Sequence, residues 1–178
     1  MRYLTGTEEQ EALQYIQGAA EIARGSCCLR AHCGSVIVRD REIIGRGYNS
    51  PPRDIRIDRC TKDDLPKEFR SDRTCCIHAE ARAVYDALAH RPEKIVGSRL
   101  YFIRLADDGS LARAGTPYCT MCSKLALDAG IAEFVLWHKE GIRVYDTAEY
   151  NRISFQHADA SLPITEKSGM NASARRGG

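Results

Sequence analysis

The apolar positions of this chain change from helical to strand spacing several times, which outlines a mixed α/β protein. Small and apolar residues recur at helical spacing between Thr7 and Gly25, and a capping box at Thr7 predicts the start of a first helix. Two apolar runs, 35–38 and 43–49, flank a short charged turn and predict an antiparallel hairpin.

Two glycines of the second run, Gly45 and Gly47, predict that another part of the backbone comes close, because a glycine inside a strand leaves room for it. A phosphate-binding loop is the alternative interpretation of this spacing. No helix follows the glycines and Pro51 closes the strand, so the close approach is favoured.

The second half of the chain alternates strands and helices. The spacing predicts helices over 78–89 and 119–129, strands over 99–105, 133–137 and 141–145, and a weak helix over 147–155. The expected inner face of the first of these helices consists of Ala83, Val84, Ala87 and Leu88. Because strand–helix–strand crossovers are right-handed almost without exception, we expect the later strands to be parallel, with the helices 78–89 and 119–129 on one face of the sheet.

The charge balance argues against a nucleic-acid substrate. The 26 Lys and Arg residues face 24 Asp and Glu residues, a net charge of +2, whereas proteins that hold polyanions usually carry a clear basic excess. Residues 53–74 are dense in both signs and predict a long loop, not a basic patch. Aromatic residues are only 7% of the chain, few for a surface on which single-stranded bases stack.

The length of 178 residues suits one domain, expected over 1–157, while residues 158–178 are small, polar and aperiodic and predict a disordered tail. No apolar run approaches membrane-spanning length and the N-terminus has no signal-peptide core, so we expect a cytoplasmic protein without a membrane partner. The eight cysteines are clustered and not spread like a disulfide framework, which fits a reducing compartment.

Two short motifs carry residues suited to a zinc site. His78-x-Glu80 and Cys119-x-x-Cys122 each open a predicted helix. One imidazole and two thiolates leave the fourth zinc position to water, whose pKa falls from about 15.7 to roughly 7 on the metal. Cys-x-x-Cys alone is as typical of a structural zinc clip or a redox pair. Combined, His-x-Glu and Pro-Cys-x-x-Cys are the signature of zinc nucleobase deaminases, so we predict His78, Cys119 and Cys122 as zinc ligands and Glu80 as the catalytic proton carrier.

The positions of these residues have geometric consequences. The unpaired N–H groups and the dipole of a helix N-terminus lower the pKa of a cysteine, which favours thiolates at Cys119 and Cys122. Residues i and i+2 point roughly 200° apart on an ideal helix. His78 is therefore expected at the entrance of its helix, outside regular geometry, so that its side chain can converge with that of Glu80.

A neutral base needs a shaped, dry pocket beside the metal. Ala79 is expected to supply an apolar wall. Tyr118 stands between Pro117 and Cys119, where the usual motif has Pro directly before Cys, so it is expected to alter the pocket wall.

The segments around these motifs resemble the deoxycytidylate (dCMP) deaminase family over roughly residues 8–145. They are Cys28-Leu29-Arg30, residues 34–38, Gly47-Tyr48-Asn49-Ser50-Pro51-Pro52, a cysteine-containing insertion and Cys76-Ile77-His78-Ala79-Glu80. The resemblance implies a three-layer α/β/α cytidine-deaminase-like fold with a mixed five-stranded sheet, hydrolysis of dCMP to dUMP and ammonia, and a homo-oligomer, a hexamer or a dimer. It also implies that Asn49 contacts the sugar of the substrate.

Two departures from the family pattern, Tyr118 and the pair Ala81-Arg82, leave the substrate open among dCMP, CMP, a nucleoside and a free base. A purine or pterin deaminase has a compatible metal site, as has an RNA-editing or single-stranded-DNA-editing deaminase. A zinc-stabilised domain without enzymatic activity would not need Glu80.

The resemblance also implies a second, structural zinc, because some dCMP deaminases carry one bound by cysteines at the corresponding places. Cys28, Cys60 and Cys75 are the predicted ligands, with Cys27 and Cys76 as alternatives and His32 or Cys33 as a fourth ligand. The alternative is that these cysteines are small buried hydrophobic residues. Cys60 argues against it, because its charged loop offers little core.

Overall fold

The fold is built around one mixed β-sheet. The structure is a computed structural model that describes residues 1–64 and 74–158. In chain order the elements are β1 (Arg2–Tyr3), α1 (Gly6–Ala23), β2 (His32–Arg39), β3 (Glu42–Tyr48), α2 (Ala79–His90), β4 (Arg99–Leu105), β5 (Leu111–Ala112), α3 (Thr120–Asp128), β6 (Glu133–His138), β7 (Gly141–Asp146) and α4 (Thr147–Ala158). Short 3-10 turns occur at Pro52–Asp54, Thr61–Asp64 and Pro92–Lys94.

The strands of the described residues lie in the order β1-β7-β6-β4-β2-β3, and β5 pairs with β4 outside this path. All five predicted strands are present, and the two-residue strands β1 and β5 are additional. The pair β4–β6 is parallel, as the crossover rule predicts. The prediction was wrong for β7, which is antiparallel to β6 because residues 139–140 return the chain as a tight hairpin.

The longer strands direct alternate residues to opposite faces of the sheet, which separates two hydrophobic cores. Val36 and Val38 of β2 pack towards α1, whereas Ile37 between them packs on the other face. Core residues of α2, α3 and α4 lie on the face of Ile37. The three layers are therefore one helix, the sheet and three helices, and the two helices that open with the motifs are neighbours.

Helix α2 lies unusually close to β3. A Cβ built on Gly45 would be 2.4 Å from the backbone oxygen of Ala83, and one built on Gly47 would be 2.2 Å from that of Ala79. These are distances that real side chains do not reach, so the predicted close backbone approach is confirmed.

Two local predictions need correction. The first helix begins at Gly6, with Thr5 in the capping position, so Thr7 lies inside the first turn and forms no capping box. Leu88 is 43% exposed and does not belong to the inner face of α2. The close contact with β3 narrows the buried stripe to the small residues Ala83 and Ala87 with Val84.

The prediction of a disordered tail falls on residues outside the described part, apart from Ala158, which ends α4. No helix among the described residues is long and apolar enough to cross a membrane. All eight cysteines lie within the described residues, and all are free thiols.

Candidate metal centre

Three side chains converge where α2 and α3 begin, and we name them the metal group: His78, Cys119 and Cys122. His78 is the capping residue of α2 with extended backbone angles (φ −72°, ψ 151°), as the spacing of His78 and Glu80 predicts. Cys119 is the capping residue of α3 and accepts a hydrogen bond from the backbone N–H of Cys122 at 3.5 Å. Their ligand atoms all lie within 4.8 Å of one another.

The distances within the metal group fit a zinc ion. His78 Nδ1 lies 3.2 Å from Cys122 Sγ and 3.3 Å from Cys119 Sγ. Tetrahedral zinc with the usual Zn–N and Zn–S lengths separates such a nitrogen and sulfur by about 3.5 Å. One imidazole and two cysteines are also the donor types that zinc prefers, so the residues fit the metal without a rearrangement of the backbone.

The metal group is electrostatically prepared for one thiolate, that of Cys119. The expectation of a lowered pKa was wrong for Cys122, because its hydrogen bond with Cys119 and its burial raise the pKa of its thiol. Hydrogen bonds from the Cys122 thiol and from His78 lower the pKa of Cys119 to about 4, against the effect of burial. The same contact with Cys119 raises the pKa of His78 to about 9. Cys119 is therefore ionised at neutral pH, and the open N-terminus of α3 supports that charge.

Glu80 lies in the first turn of α2 beside the metal group and is only 7% exposed. Burial raises the pKa of its carboxyl group, although the positive charge of His78 acts in the opposite direction. Its carboxyl group is hydrogen-bonded to Cys122. A carboxyl group with a raised pKa in a dry site can both accept and return a proton near neutral pH.

His78, Cys119 and Glu80 border a cleft of about 550 Å³, which is the size of a small-molecule site. Phe102, Leu136 and Tyr150 form an apolar wall of this cleft. Four cations border it as well: Arg30, Lys62, Arg104 and Arg113. Among the described residues that border the cleft, Glu80 is the only acidic one.

All three predicted substrate contacts border the cleft. Ala79 is fully buried, whereas Tyr118 is 46% exposed. The Asn49 amide is held in place, since its Oδ1 accepts hydrogen bonds from Cys33 N–H at 2.7 Å and from the Ser26 hydroxyl at 3.0 Å. Its Nδ2 donates to a backbone oxygen at 2.8 Å, which leaves one N–H for a ligand.

A second set of cysteines borders the same cleft, and we name it the four-thiol group: Cys28, Cys60, Cys75 and Cys76. The Sγ atoms of Cys60 and Cys75 are 3.7 Å apart, and those of Cys75 and Cys76 are 3.9 Å apart. A hydrogen bond joins Cys76 to Cys28, and together with burial it raises the pKa of Cys76. The three cysteines predicted for a second zinc are thus linked through Cys76.

Arg82, one of the two departures from the family pattern, braces the segment that follows Asn49. Its guanidinium donates to the backbone oxygen of Pro51 at 2.8 Å and pairs with Asp54 at 3.0 Å. The Tyr48 hydroxyl donates to the same carboxylate at 2.7 Å. Arg82 therefore ties the first turn of α2 to the segment that carries Asn49.

The sequence did not single out Arg104 or Tyr150 as cleft residues. Alternation along β4 marks Arg104 as outward-facing, but not as facing a cleft. Tyr150 is one apolar position of a weakly amphipathic helix. No local signal in the sequence distinguishes either residue, because the cleft brings them near the metal group only through the tertiary fold.

The comparisons with known proteins agree with this geometry. A family model described as the cytidine and deoxycytidylate deaminase zinc-binding region matches residues 7–138. The deoxycytidylate deaminase of Mycobacterium phage D29 is 32% identical over 136 residues, which are 71% of this chain and 94% of that protein. The deoxycytidylate deaminase of Saccharomyces cerevisiae is 29% identical over 126 residues, 68% of this chain and 35% of that protein, so the chain matches about a third of the yeast enzyme.

Solved structures show the same fold. The dCMP deaminase of cyanophage S-TIM5 in complex with dCMP and dUMP has a TM-score of 0.50 at 23% identity, covering 74% of this chain and 82% of that one. The cytidine deaminase of Burkholderia pseudomallei has a TM-score of 0.52 at 16% identity, covering 78% and 94%. These confirm the predicted cytidine-deaminase-like fold. The chain belongs to the cytidine and deoxycytidylate deaminase zinc-binding family.

Proposed function

We propose that the protein hydrolyses the amino group of a cytosine nucleotide, with dCMP as the first candidate, to give dUMP and ammonia. The observation that carries this proposal is the metal group beside the buried carboxyl group of Glu80 at the cationic cleft. The phage D29 relative, a deoxycytidylate deaminase that aligns over nearly its whole length, supports the same substrate.

In this proposal His78, Cys119 and Cys122 hold Zn²⁺, which supplies the Lewis acidity that activates water at neutral pH. Glu80 would take a proton from water and deliver it to the ring nitrogen next to the reacting carbon, and would then carry a second proton from the new hydroxyl group to the leaving amine. Water contributes the new oxygen and ammonia leaves, so the overall reaction consumes one water. The apolar wall, with Ala79 at its edge, keeps bulk water from the ring.

The cations of the cleft favour a nucleotide over a nucleoside. Arg104 and Lys62 have no carboxylate partner among the described residues, whereas Arg30 pairs with Asp63. Arg113 lies over the ring of Trp137 at 3.2 Å, which fixes its position. A phosphate group would supply the missing anion, and charge-assisted hydrogen bonds are the stronger ones.

A substrate panel tests this proposal directly. Cytosine, cytidine, deoxycytidine, CMP and dCMP are compared on one preparation by ammonia release, with adenine, guanine and a pterin as outgroups. We expect dCMP to have the highest kcat/KM. Arg104→Gln should raise KM for dCMP by roughly tenfold or more and leave deoxycytidine unchanged, since only dCMP loses a charged hydrogen bond.

Arg91→Gln is the matched control, because Arg91 pairs with Glu42 and does not border the cleft. Equal kcat/KM for deoxycytidine and dCMP would contradict the phosphate assignment. Turnover of a purine or pterin in preference to every cytosine compound would contradict the substrate class.

We further propose that the four-thiol group holds a second, structural zinc. In a Cys₄ zinc site the sulfur atoms are about 3.8 Å apart, and two pairs of this group already have that separation. Burial alone would raise the pKa of Cys75, but hydrogen bonds from Thr61 and Cys60 bring it below its ordinary value. Cys28, Cys60 and Cys75 would be ligands, and Cys76 is better placed as the fourth than His32, which is exposed.

A homo-oligomer and a cytoplasmic location stay predictions. Light scattering of the purified protein measures the first. Activity in the soluble cytoplasmic fraction of the source cells tests the second.

A further inference from the structure

Tyr150 of α4 is fixed on two sides next to the metal group. Its ring stacks on Phe134 of β6, with centroids 3.9 Å apart and planes 16° apart. Tyr145 of β7 meets it edge to face at 5.7 Å and 86°. The neighbouring Asn151 accepts a hydrogen bond from Ser123 of α3 at 2.8 Å, which ties α4 to the helix that carries Cys122. The ring therefore has a single orientation.

The side chain of Tyr150 lies near Glu80 and the two cysteines of the metal group. Tyr150 borders the cleft, and the charges of Glu80, Cys122 and Cys119 all act on its hydroxyl. The residue is only 5% exposed. Within residues 1–64 and 74–158, no protein group is hydrogen-bonded to this hydroxyl, whereas that of Tyr145 contacts His138 at 2.9 Å. Polar groups in such a site normally have a hydrogen-bond partner, and for this hydroxyl it is water or a ligand in the cleft.

The chemistry of the neighbouring groups narrows what that partner is. An ionised carboxylate and the Cys119 thiolate only accept hydrogen bonds, whereas a phenol both donates and accepts. Burial and the neighbouring negative charges raise the pKa of the phenol above its ordinary value near 10, so it is neutral at the pH at which Glu80 works. An amino group that becomes ammonia offers N–H donors at first and a lone pair later. Thr74, Thr116 and Tyr118 also border the cleft with hydroxyl groups, but each is more exposed than Tyr150. Among the described residues of the cleft, Tyr150 therefore carries the most deeply buried hydroxyl that can serve both states without a change of charge.

We propose that the Tyr150 hydroxyl contacts the exocyclic amino group of the substrate, which makes Tyr150 a catalytic residue contributed by α4. This rests on the proposed deamination. Tyr150 lies beyond residues 7–138, the part of the chain that matches the zinc-binding region of the family. The deaminase site of this chain is thus completed from outside that region.

Tyr150→Phe tests the proposal, because it keeps the ring contacts with Phe134 and Tyr145 and removes only the hydroxyl. We expect kcat for dCMP to fall by about tenfold or more, the usual cost of one lost hydrogen bond in a dry site. KM should change less than kcat. The product dUMP has no amino group, so its dissociation constant should stay within about twofold. Zinc content should be unchanged.

Tyr101→Phe is the matched control. Tyr101 is equally buried, but it lies on the α1 face of the sheet, where its hydroxyl contacts Arg99. This substitution should lower the melting temperature and leave kcat unchanged.

A kcat of Tyr150→Phe within twofold of the wild type overturns the proposal. A parallel loss of dUMP affinity also overturns it, since the hydroxyl would then contact another part of the ring. Lower zinc content in Tyr150→Phe assigns the residue to metal retention instead, with the same result. If the wild-type protein releases no ammonia from any cytosine compound, the proposed function is wrong and the amino contact falls with it.

Discussion

His78 and Cys119 of the metal group border the same cleft as the four-thiol group, yet different parts of the fold hold the two groups. His78 and Cys119 occupy the capping positions of α2 and α3, two helices packed against the sheet. The four-thiol group has no helix or strand of its own. Its members come from the segment after α1, from the loop after β3 and from the residues before α2.

This difference predicts different consequences of metal binding. The geometry of the metal group follows from helix packing, so removal of zinc there should cost activity more than fold. Around the four-thiol group a metal would join loop segments that polar contacts hold together, such as the Arg30–Asp63 ion pair and the backbone hydrogen bonds between Ser50 and Ile77. Closed four-ligand zinc sites contribute directly to folding, so removal of zinc there should cost fold more than activity.

The largest expected effects distinguish residues that bind the metal from Glu80, the residue that transfers protons beside it. Glu80→Gln should keep zinc and lower kcat by about a thousandfold, since general acid–base catalysis contributes on the order of 10² to 10⁴. Cys119→Ser should lose both zinc and turnover. Ammonia release and zinc content per chain measure the two. Asp86→Asn on the outer side of α2 is the control and should retain both.

Zinc loss in Glu80→Gln, or turnover close to that of the wild type, would contradict the role of Glu80.

A smaller effect on activity, with a larger one on stability, is expected from Cys60→Ser. Zinc per chain should fall from two to one, and kcat should stay within a few-fold of the wild type. The melting temperature should fall by roughly 5–10 °C, as the loss of about 2–3 kcal/mol predicts for a chain of this size. Mass spectrometry under native conditions and thermal unfolding measure these quantities.

Cys27→Ser provides the comparison, because the Cys27 thiol contacts Ser50 Oγ at 3.0 Å and lies outside the four-thiol group. It should keep both zinc ions. One zinc per chain in the wild type and in Cys60→Ser alike would remove the contrast between the two groups.

The smallest expected effect is a loss of fold stability in acid that comes from Glu8, which lies outside both groups. This loss must be measured before a release of zinc at low pH is attributed to protonation of the cysteines. Hydrogen bonds from Arg2 lower the pKa of Glu8 from 4.5 to about 2. The ionised Glu8 carboxylate, paired with Arg2, therefore stabilises the fold fully above pH 4.5, and this contribution is lost as the pH falls towards 2. Glu8 is partly exposed, so the contribution should stay below about 1 kcal/mol.

Glu8→Gln should therefore reduce the free energy of unfolding at pH 7 slightly and leave it unchanged at pH 2. Denaturant titrations at both pH values measure this. An equal loss at both would show that packing, and not charge, explains the role of Glu8.

The sequence predicted the metal group because its information is local. The i and i+2 positions of His78 and Glu80 cannot converge on a regular helix, and this alone places His78 at the helix entrance, as observed. The strand β4 was predicted with both of its ends, since a run of β-branched and aromatic residues is bounded by turn residues. Period and capping chemistry suffice for such features.

Other features depend on contacts that no local pattern encodes. Helical spacing predicted Leu88 on the buried face of α2, but the width of that face depends on how closely β3 approaches the helix. The antiparallel direction of β7 follows from a hairpin whose turn has no glycine at its centre. Tyr150 lies beside Glu80 only because α4 folds back over β6, some seventy residues later in the chain.

The glycines of β3 matter to chemistry that they never touch. A single added methyl group at Gly47 would meet the Ala79 oxygen at 2.2 Å and the Ala83 nitrogen at 2.4 Å, both of them backbone atoms that cannot swing aside. Helix α2 would have to move outward and take its first residue, and the imidazole before it, away from α3. Misplacement of reacting groups by 1 Å can cost about a hundredfold in rate. The close spacing of α2 and β3, which the missing side chains of these glycines permit, should therefore affect the rate of the reaction.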